Sequence, residues 1–310
     1  MKDMNRRSFI KTSALAGAAV SLSSVKMVGS CFAQDKVDVA VVKGAEAYDS
    51  TKKAVELIGG MSRFVKKDAR VVLLPNVQRT HPGTFTHPEV VRAVIHMCKE
   101  AGAKEITCTS LLSQKNWDDS GNSAVFKDEG VELKLFSSRD ETAFKSVPVP
   151  KGKALKEAQI LKELSNHDVF INIPIMKDHA GNRFTGTLKN MMGINASASN
   201  RSFHKDNWQT DKDSIAHLDQ CIADLNTVVT PDLNVLDATE FITTNGPFGP
   251  GKLNNPNTVV AGVDRIAIDA YSTRMLNDLK PSDIIMIGRG YDHKLGEIDL
   301  SKVNVKEVTI

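Results

Sequence analysis

The segment ARVVLLPNVQRTHPGTFTHPEVVRAVIHMCKEAGAKEITCTS, residues 69–110, decides the fold. ARVVLLPNV (69–77) is an apolar run of strand length. HPEVVRAVIHMCKEAG (87–102) then sets Val90, Val91, Val94, Cys98 and Ala101 on one helical face, with Gly102 placed to stop it. KEITCTS (104–110) returns to a short strand. Strand, helix and strand in this order call for two parallel strands joined by a right-handed crossover.

The same alternation continues outward. VDVAVVKG (37–44), VELKLFS (131–137), HDVFINIPIM (167–176), DLNVLDATEF (232–241) and NTVVAGVD (257–264) read as strands. DSTKKAVELIGG (49–60), SIAHLDQCIADLNTVV (214–229) and RIAIDAYSTRML (265–276) read as helices. Another helix falls around 281–291, and KVNVKEVTI closes the chain as an edge strand. The pattern predicts an α/β fold with a mainly parallel sheet and helices on both faces. Residues 37–310 form a single α/β region, with a division into two lobes around a cleft, about 37–150 and 151–310, left open. Three long loops, 111–126, 195–213 and 242–257, fall at strand ends, where open α/β sheets hold ligands.

Residues 1–33 have the layout of an export signal: a basic start, a mildly apolar middle and small residues before a break. Arg6-Arg7-Ser8-Phe9-Ile10-Lys11 resembles the twin-arginine pattern R-R-x-F-[LI]-K, with Asn5 where Ser or Thr is preferred. That resemblance implies the twin-arginine export machinery as a partner, a route associated with proteins that fold, and often take up a cofactor, before crossing. Cleavage after Ala33 would release the protein into the periplasm. Alternatively Val28-Gly29-Ser30-Cys31 resembles a lipobox, with Cys31 carrying a lipid anchor and Lys26 interrupting the apolar stretch. No other run approaches the ~18 apolar residues of a transmembrane span.

Of 40 basic and 37 acidic side chains, five and one fall within residues 1–33, so the remainder is close to neutral. This gives no footing for a nucleic-acid partner. Cys98, Cys108 and Cys221 are odd in number and widely spaced, which argues against a disulfide framework, a structural zinc site or an iron–sulfur cluster. Cys98 and Cys108 read as core.

The chemistry concentrates in two places. PNVQRTHPGTFTHPE puts Asn76, Arg79, His81 and His87 at a strand's carboxyl end, where an arginine is a ready clamp for carboxylate or phosphate. Thr86 and Glu89 fit a capping box, which leaves His87 as filler. KDHAGNRFTGTLKNMMGI (177–194) crowds Lys177, Asp178, His179, Arg183 and Lys189 around Gly181 and Gly186 directly after an apolar strand. Gly181 and Gly186 have phosphate-loop spacing, but Thr187-Leu188 stands where Lys-Ser/Thr is required, so a Walker A loop is rejected. A turn feeding the short helix TGTLKNMMGI remains, and free N–H groups at its start favour an anion. Crowded cations depress one another's pKa, so Lys189 can act as base or nucleophile; the competing reading is a solvated basic turn. His179 and His204 flank the region without forming a local metal motif. Asp237 and the turn-rich NGPFGPGK with Asn245 are further candidates. Asp264 is placed to cap a helix, and Asp269, set among Ile266, Ala267, Ile268 and Ala270, calls for a buried partner.

These segments resemble the family called domain of unknown function 362 over about residues 37–290. The matching pieces are LLPNV, the P-x-x-K-x-H and G-x-x-K-N-x-x-G elements of 174–193, VLDATEF…NGPFGPGK, and the G-x-D-x-x-A-x-D run of 262–269. Some members of that family carry ferredoxin-type cysteine clusters, which this chain lacks. A more remote resemblance is to the lactate racemases, which bind a nickel-pincer nucleotide through a lysine. His179, Gly186, Lys189 and His204 follow the order of that site, and Arg79 is similar to its strand-end arginine. Three departures stand out: TCTSLLSQKN lacks an expected histidine, Asn190 follows Lys189, and no proline precedes Gly193.

These readings imply an exported, cofactor- or metal-dependent enzyme acting on a small anionic substrate, the racemase-like version using hydride chemistry on a 2-hydroxy acid. His179, Lys189 and Arg79 would be catalytic. Lys189, Lys177, Gly186 and Asn190 would hold a nickel-pincer nucleotide, or a divalent metal would sit at His204. The alternative is a periplasmic protein that binds an anionic ligand without turnover. A redox partner fits worst, since no GxGxxG follows a strand and no cysteines cluster.

Overall fold

A computed structural model of the chain describes residues 37–137 and 139–310. The Arg6–Arg7 pair, the break after Ala33 and the lipobox at Cys31 lie outside the described residues. Strand β1 (Val39–Lys43) leads into α1 (Ala47–Leu57), followed by β2 (Arg70–Pro75), α2 (Pro88–Glu100) and β3 (Glu105–Ser110). Helices α3 (Gln114–Asp119) and α4 (Asn122–Glu129) precede β4 (Glu132–Leu135), and β5 (Phe144–Pro148) with β6 (Glu157–Leu161) forms a separate antiparallel ribbon. Then come β7 (Val169–Ile173), α5 (Thr187–Asn190), α6 (Ser197–Phe203), α7 (Lys212–Leu225) and β8 (Leu233–Ala238). The short pair β9 (Phe241–Ile242) and β10 (Leu253–Asn254), β11 (Thr258–Gly262), α8 (Arg265–Ser272), α9 (Ile285–Asp292) and β12 (Val305–Thr309) complete the chain.

Eight strands form one sheet in the order β12-β1-β11-β8-β7-β2-β3-β4. Only β11 runs against its neighbours, β1 and β8; the other five pairings are parallel. Strands from 37–150 and from 151–310 share the sheet, β1 lying between β11 and β12. From β2 the chain builds outward through β3 to β4, then returns to add β7 on the other side of β2. The order therefore reverses at β2, and the crevice beyond the carboxyl ends of β2 and β7 is the topological switch point of the sheet.

Alternation along each strand feeds two core layers. Ala40, Val42, Val71, Leu73, Ile171 and Ile173 pack against α1, α2 and α4 on one face. Val39, Val41, Val72, Leu74, Phe170 and Leu236 pack against α7, α8 and α9 on the other. Cys98, Cys108 and Cys221 are buried free thiols. The expected capping box does not form, and the cap moves by one residue. The His87 ring, not Thr86, accepts from Glu89 N at 3.2 Å, and Glu89 pairs with Arg92 instead. Thr86 Oγ1 donates to Ile173 O at 2.8 Å and accepts from Asn76 N at 3.0 Å, tying β2 to β7.

The N–H groups at the start of α5 do meet an anion, but it is the protein's own. Asp269, fully buried on α8, accepts from Thr187 N at 2.7 Å and Leu188 N at 3.0 Å. Gly186 makes room for this contact: a β-carbon there would collide with Asp269 Oδ1 and the Phe184 ring. The helix start is thereby closed to an outside anion, and the direction of Lys189 and Asn190 is fixed. Asp269→Ala strands both amides in the core, at about 1–3 kcal/mol each. Denaturant unfolding should find it less stable by about 2–5 kcal/mol, and Asp269→Asn, which keeps one acceptor oxygen, less affected.

Candidate functional site

At the switch point lies a cavity of about 330 Å³. It is lined from β2 and its loop by Asn76 and Arg79, after β7 by Lys177, His179 and Thr185, and on α5 by Lys189 and Asn190. His204 and Trp208 line it from the 195–213 loop, and Leu111, Leu112, Pro247 and Phe248 come from the other two long loops. Arg79, Lys177, His179, Lys189 and His204 thus share one cavity.

Four asparagines brace this arrangement. Asn234 on β8 accepts from Asn172 Nδ2 at 3.0 Å, Asn172 on β7 accepts from Asn190 Nδ2 at 2.7 Å, and Asn190 accepts from Asn76 Nδ2 at 2.9 Å. Asn190 also donates to Leu74 O at 3.0 Å, so its amide is committed to holding α5 against the sheet. The far end of the chain reaches Lys177, whose Nζ donates to Thr84 O at 2.6 Å and lies 3.4 Å from Asn76 Oδ1.

Lys177 is 1% exposed. Burial pulls its ammonium from the ordinary 10.5 to about 7, with Arg79 and Lys189 pushing the same way. Lys189 is lowered as well, by burial against the opposing pull of Asp219. Asp219 on α7 is raised by burial, with Lys189 acting against it. Asn182 bridges the two, accepting from Lys189 Nζ at 3.2 Å and donating to Asp219 Oδ1.

Both imidazoles are tied the same way. His179 Nδ1 lies 2.6 Å from Ala180 O, and His204 Nδ1 lies 2.8 Å from Asn200 O. A carbonyl only accepts, so each Nδ1 carries the proton and each Nε2 keeps a bare lone pair. Burial, then Lys189, holds His179 well below its usual range, and burial lowers His204. Trp208 packs against both rings, with centroids 5.4 Å from His179 and 5.0 Å from His204.

Arg79 is half-buried; its guanidinium lies 4.3 Å from the centroid of Phe248, and its Nε is buried without a partner among the described residues. Thr185 Oγ1 is likewise buried and unpartnered. Asp178 Oδ2 accepts from Gly246 N at 2.8 Å, which fastens the 245–252 loop so that Pro247 and Phe248 reach the cavity.

Other candidates lie elsewhere. His81 is exposed in a neighbouring open groove that shares Gln78, Arg79 and Phe248 with the cavity. Arg183 is exposed and does not line the cavity. Asp237 is spent on His87 N and Thr239, and Asp264 caps α8 while also accepting from Glu297 N. Asn245 turns the 245–252 loop with φ near 55° and donates to Pro250 O. None of these three lines the cavity. Among the described residues no group of three or more His, Cys, Asp or Glu side chains could hold a metal, so a divalent ion bound at His204 by side chains alone lacks a donor set. Asn172, Asn182, Thr185, Trp208 and Asp219 escaped the sequence reading. Asp219 did leave a signal, an acid beside Leu218 and Ile222 on the apolar stripe of its helix, and so did Asn172 inside VFINI.

The model of the family described as Domain of unknown function (DUF362) matches residues 71–274, well over half of the chain, and the chain belongs to that family. A TAT (twin-arginine translocation) pathway signal sequence matches residues 3–23, which indicates export across a membrane. No helix among the described residues is long and apolar enough to cross one. A thylakoid-associated protein of Synechocystis sp. (strain ATCC 27184 / PCC 6803 / Kazusa) is 28% identical over 247 residues, covering 76% of this chain and 71% of that protein. The lactate racemase apoprotein from Thermoanaerobacterium thermosaccharolyticum is similar at 16% identity with a TM-score of 0.47, over 77% of this chain. The chain spans 57% of the length of that structure, and the likeness carries no argument about activity.

The lysine environment has a measurable consequence. Between about 7 and 10.5 the folded chain holds fewer protons at Lys177 than the unfolded chain does, so this residue makes stability rise with pH across that window. The displacement corresponds to about 5 kcal/mol carried below pH 7. Lys177→Met should raise the melting temperature at pH 6–7 and flatten the rise above pH 7, in thermal scans at a series of pH values. The imidazole contribution, below pH 6.5, should persist.

Proposed function

We propose that this exported family member is an enzyme that binds a small anionic molecule in the cavity and moves protons on it. One observation carries the reading: Arg79, Lys177, His179, Lys189 and His204, from three segments of the chain, line one cavity. Buried cations need compensation, and among the described residues Asp219 alone stands against Lys189. An anion would return the missing charge. Thr185 Oγ1 and Arg79 Nε, donors without partners, would meet its oxygens. Lys177 is the anchor, and Arg79 orients the anion from the rim. His179 takes a proton at its bare Nε2, and Lys189, held by Asn182, serves as second acid or nucleophile.

The resemblance to nickel-pincer enzymes bears on the same residues. Lys189 lines the cavity, and the Nε2 atoms of His179 and His204 are available donors. The fit is incomplete at Ser110, Leu111 and Leu112, which line the cavity at the end of β3 without a second histidine base. A nickel-pincer nucleotide, when bound, would supply a hydride acceptor and donor for a 2-hydroxy acid. Lys189 would hold it, His204 would ligate its metal, Arg79 would orient the substrate carboxylate, and His179 would take the hydroxyl proton. Outside the cytoplasm, release after Ala33 gives a periplasmic enzyme, and lipidation at Cys31 a membrane-anchored one.

Natively exported protein should erode the optical purity of a single-enantiomer 2-hydroxy acid. His179→Ala and Lys189→Ala should each lower that rate by about 10²–10⁴-fold. An intact mass without a Lys189 adduct, together with no bound nickel, removes the pincer version. If the acid binds, its chirality is untouched, and Lys189→Ala only weakens binding, the chain is a non-catalytic ligand-binding protein.

A further inference from the structure

The cavity's cations account for only part of its lining. Lys177, Lys189 and the unpartnered Thr185 Oγ1 are buried in its wall, at 1%, 9% and 3% exposure. Much of the remaining wall is apolar: Leu74, Leu111, Leu112, Met192, Trp208 and Phe248. Phe248 is 44% exposed and belongs to neither core layer. It is nonetheless positioned, by the Asp178–Gly246 hydrogen bond at the base of its loop and by the Arg79 guanidinium beneath its ring. An aromatic side chain held at a cavity rim with no core to join is placed to cover something apolar. The size agrees. About 330 Å³ falls within the ~300–1,000 Å³ of pockets that enclose drug-sized ligands. A three-carbon acid would leave the apolar wall facing water, where it gains nothing from burial.

We infer that the ligand is an amphipathic carboxylate. Its head lies at Lys177, Lys189 and Thr185, and an apolar body the size of an aromatic ring or larger lies against Met192, Leu112, Trp208 and Phe248. This deepens the proposed function and rests on its anion-binding reading. The groups divide the labour between the charge and hydrogen bonds of the lysines and Thr185 and the contact area of the apolar side chains. Phe248 therefore sets how strongly the body is preferred, while the lysines decide whether an acid binds at all.

Titration calorimetry on the mature exported protein tests this with acetate, phenylacetate and 2-phenylethanol. Phenylacetate should bind at least about tenfold more tightly than acetate, and the uncharged alcohol more weakly than phenylacetate. Phe248→Ala, at an exposed loop position where folding is not at stake, should narrow the ratio between the two acids to a few-fold. Equal binding of the two acids, or a ratio untouched in both Phe248→Ala and Trp208→Ala, overturns the amphipathic ligand and leaves the anion cavity standing. If neither acid nor inorganic phosphate binds, the anion reading falls with it.

Discussion

Two ammonium groups taken out of water, on Lys177 and Lys189, set the terms for this structure. Burying a charge costs several kcal/mol unless it is paired and hydrogen-bonded. Lys177 has a carbonyl and an asparagine oxygen, and Lys189 reaches a carboxylate only through Asn182. Both ammoniums are pushed toward neutrality, and the cavity they line is short of negative charge. A fold optimised for stability alone would fill these positions with apolar side chains of similar volume. Retaining the lysines concentrates positive potential where the sheet topology opens a crevice, at a cost in stability.

The rest of the scaffold holds those groups still. Asp269 fixes the start of α5 from α8, the asparagine chain from Asn234 to Asn76 fixes it against three strands, and Asp178 fastens the 245–252 loop. Each contact is a buried or half-buried hydrogen bond between segments that are not neighbours in sequence. The reversal of strand order at β2 brings the carboxyl ends of β2 and β7 side by side, and the three long loops then close around the gap.

Local sequence carried much of this. The apolar runs and the stripe of α2 marked the α/β alternation, and the antiparallel entry of β11 beside β1 and β8 is a matter of long-range pairing that no local pattern encodes. The ribbon of β5 and β6 went unread because FKSVP and EAQIL are short and half-polar. At the cavity, the crowding of charge in 177–194 pointed to Lys177, His179 and Lys189, but not to which charges turn inward: Arg183 faces solvent. The anion expected at the start of α5 turned out to be Asp269, 82 residues away in the chain. Asp219 and Asn182 were missed because their role exists only through each other, across 37 residues.

The most direct test is the titration of the two lysines themselves, followed by carbon NMR of the side-chain ε-carbons in lysine-labelled mature protein. Burial and the neighbouring cations predict that Lys177 changes charge near pH 7, and moves up when an anion is added. If Lys177 and Lys189 both titrate with the surface lysines above pH 10 and no anion shifts them, the cavity is not the electropositive pocket described.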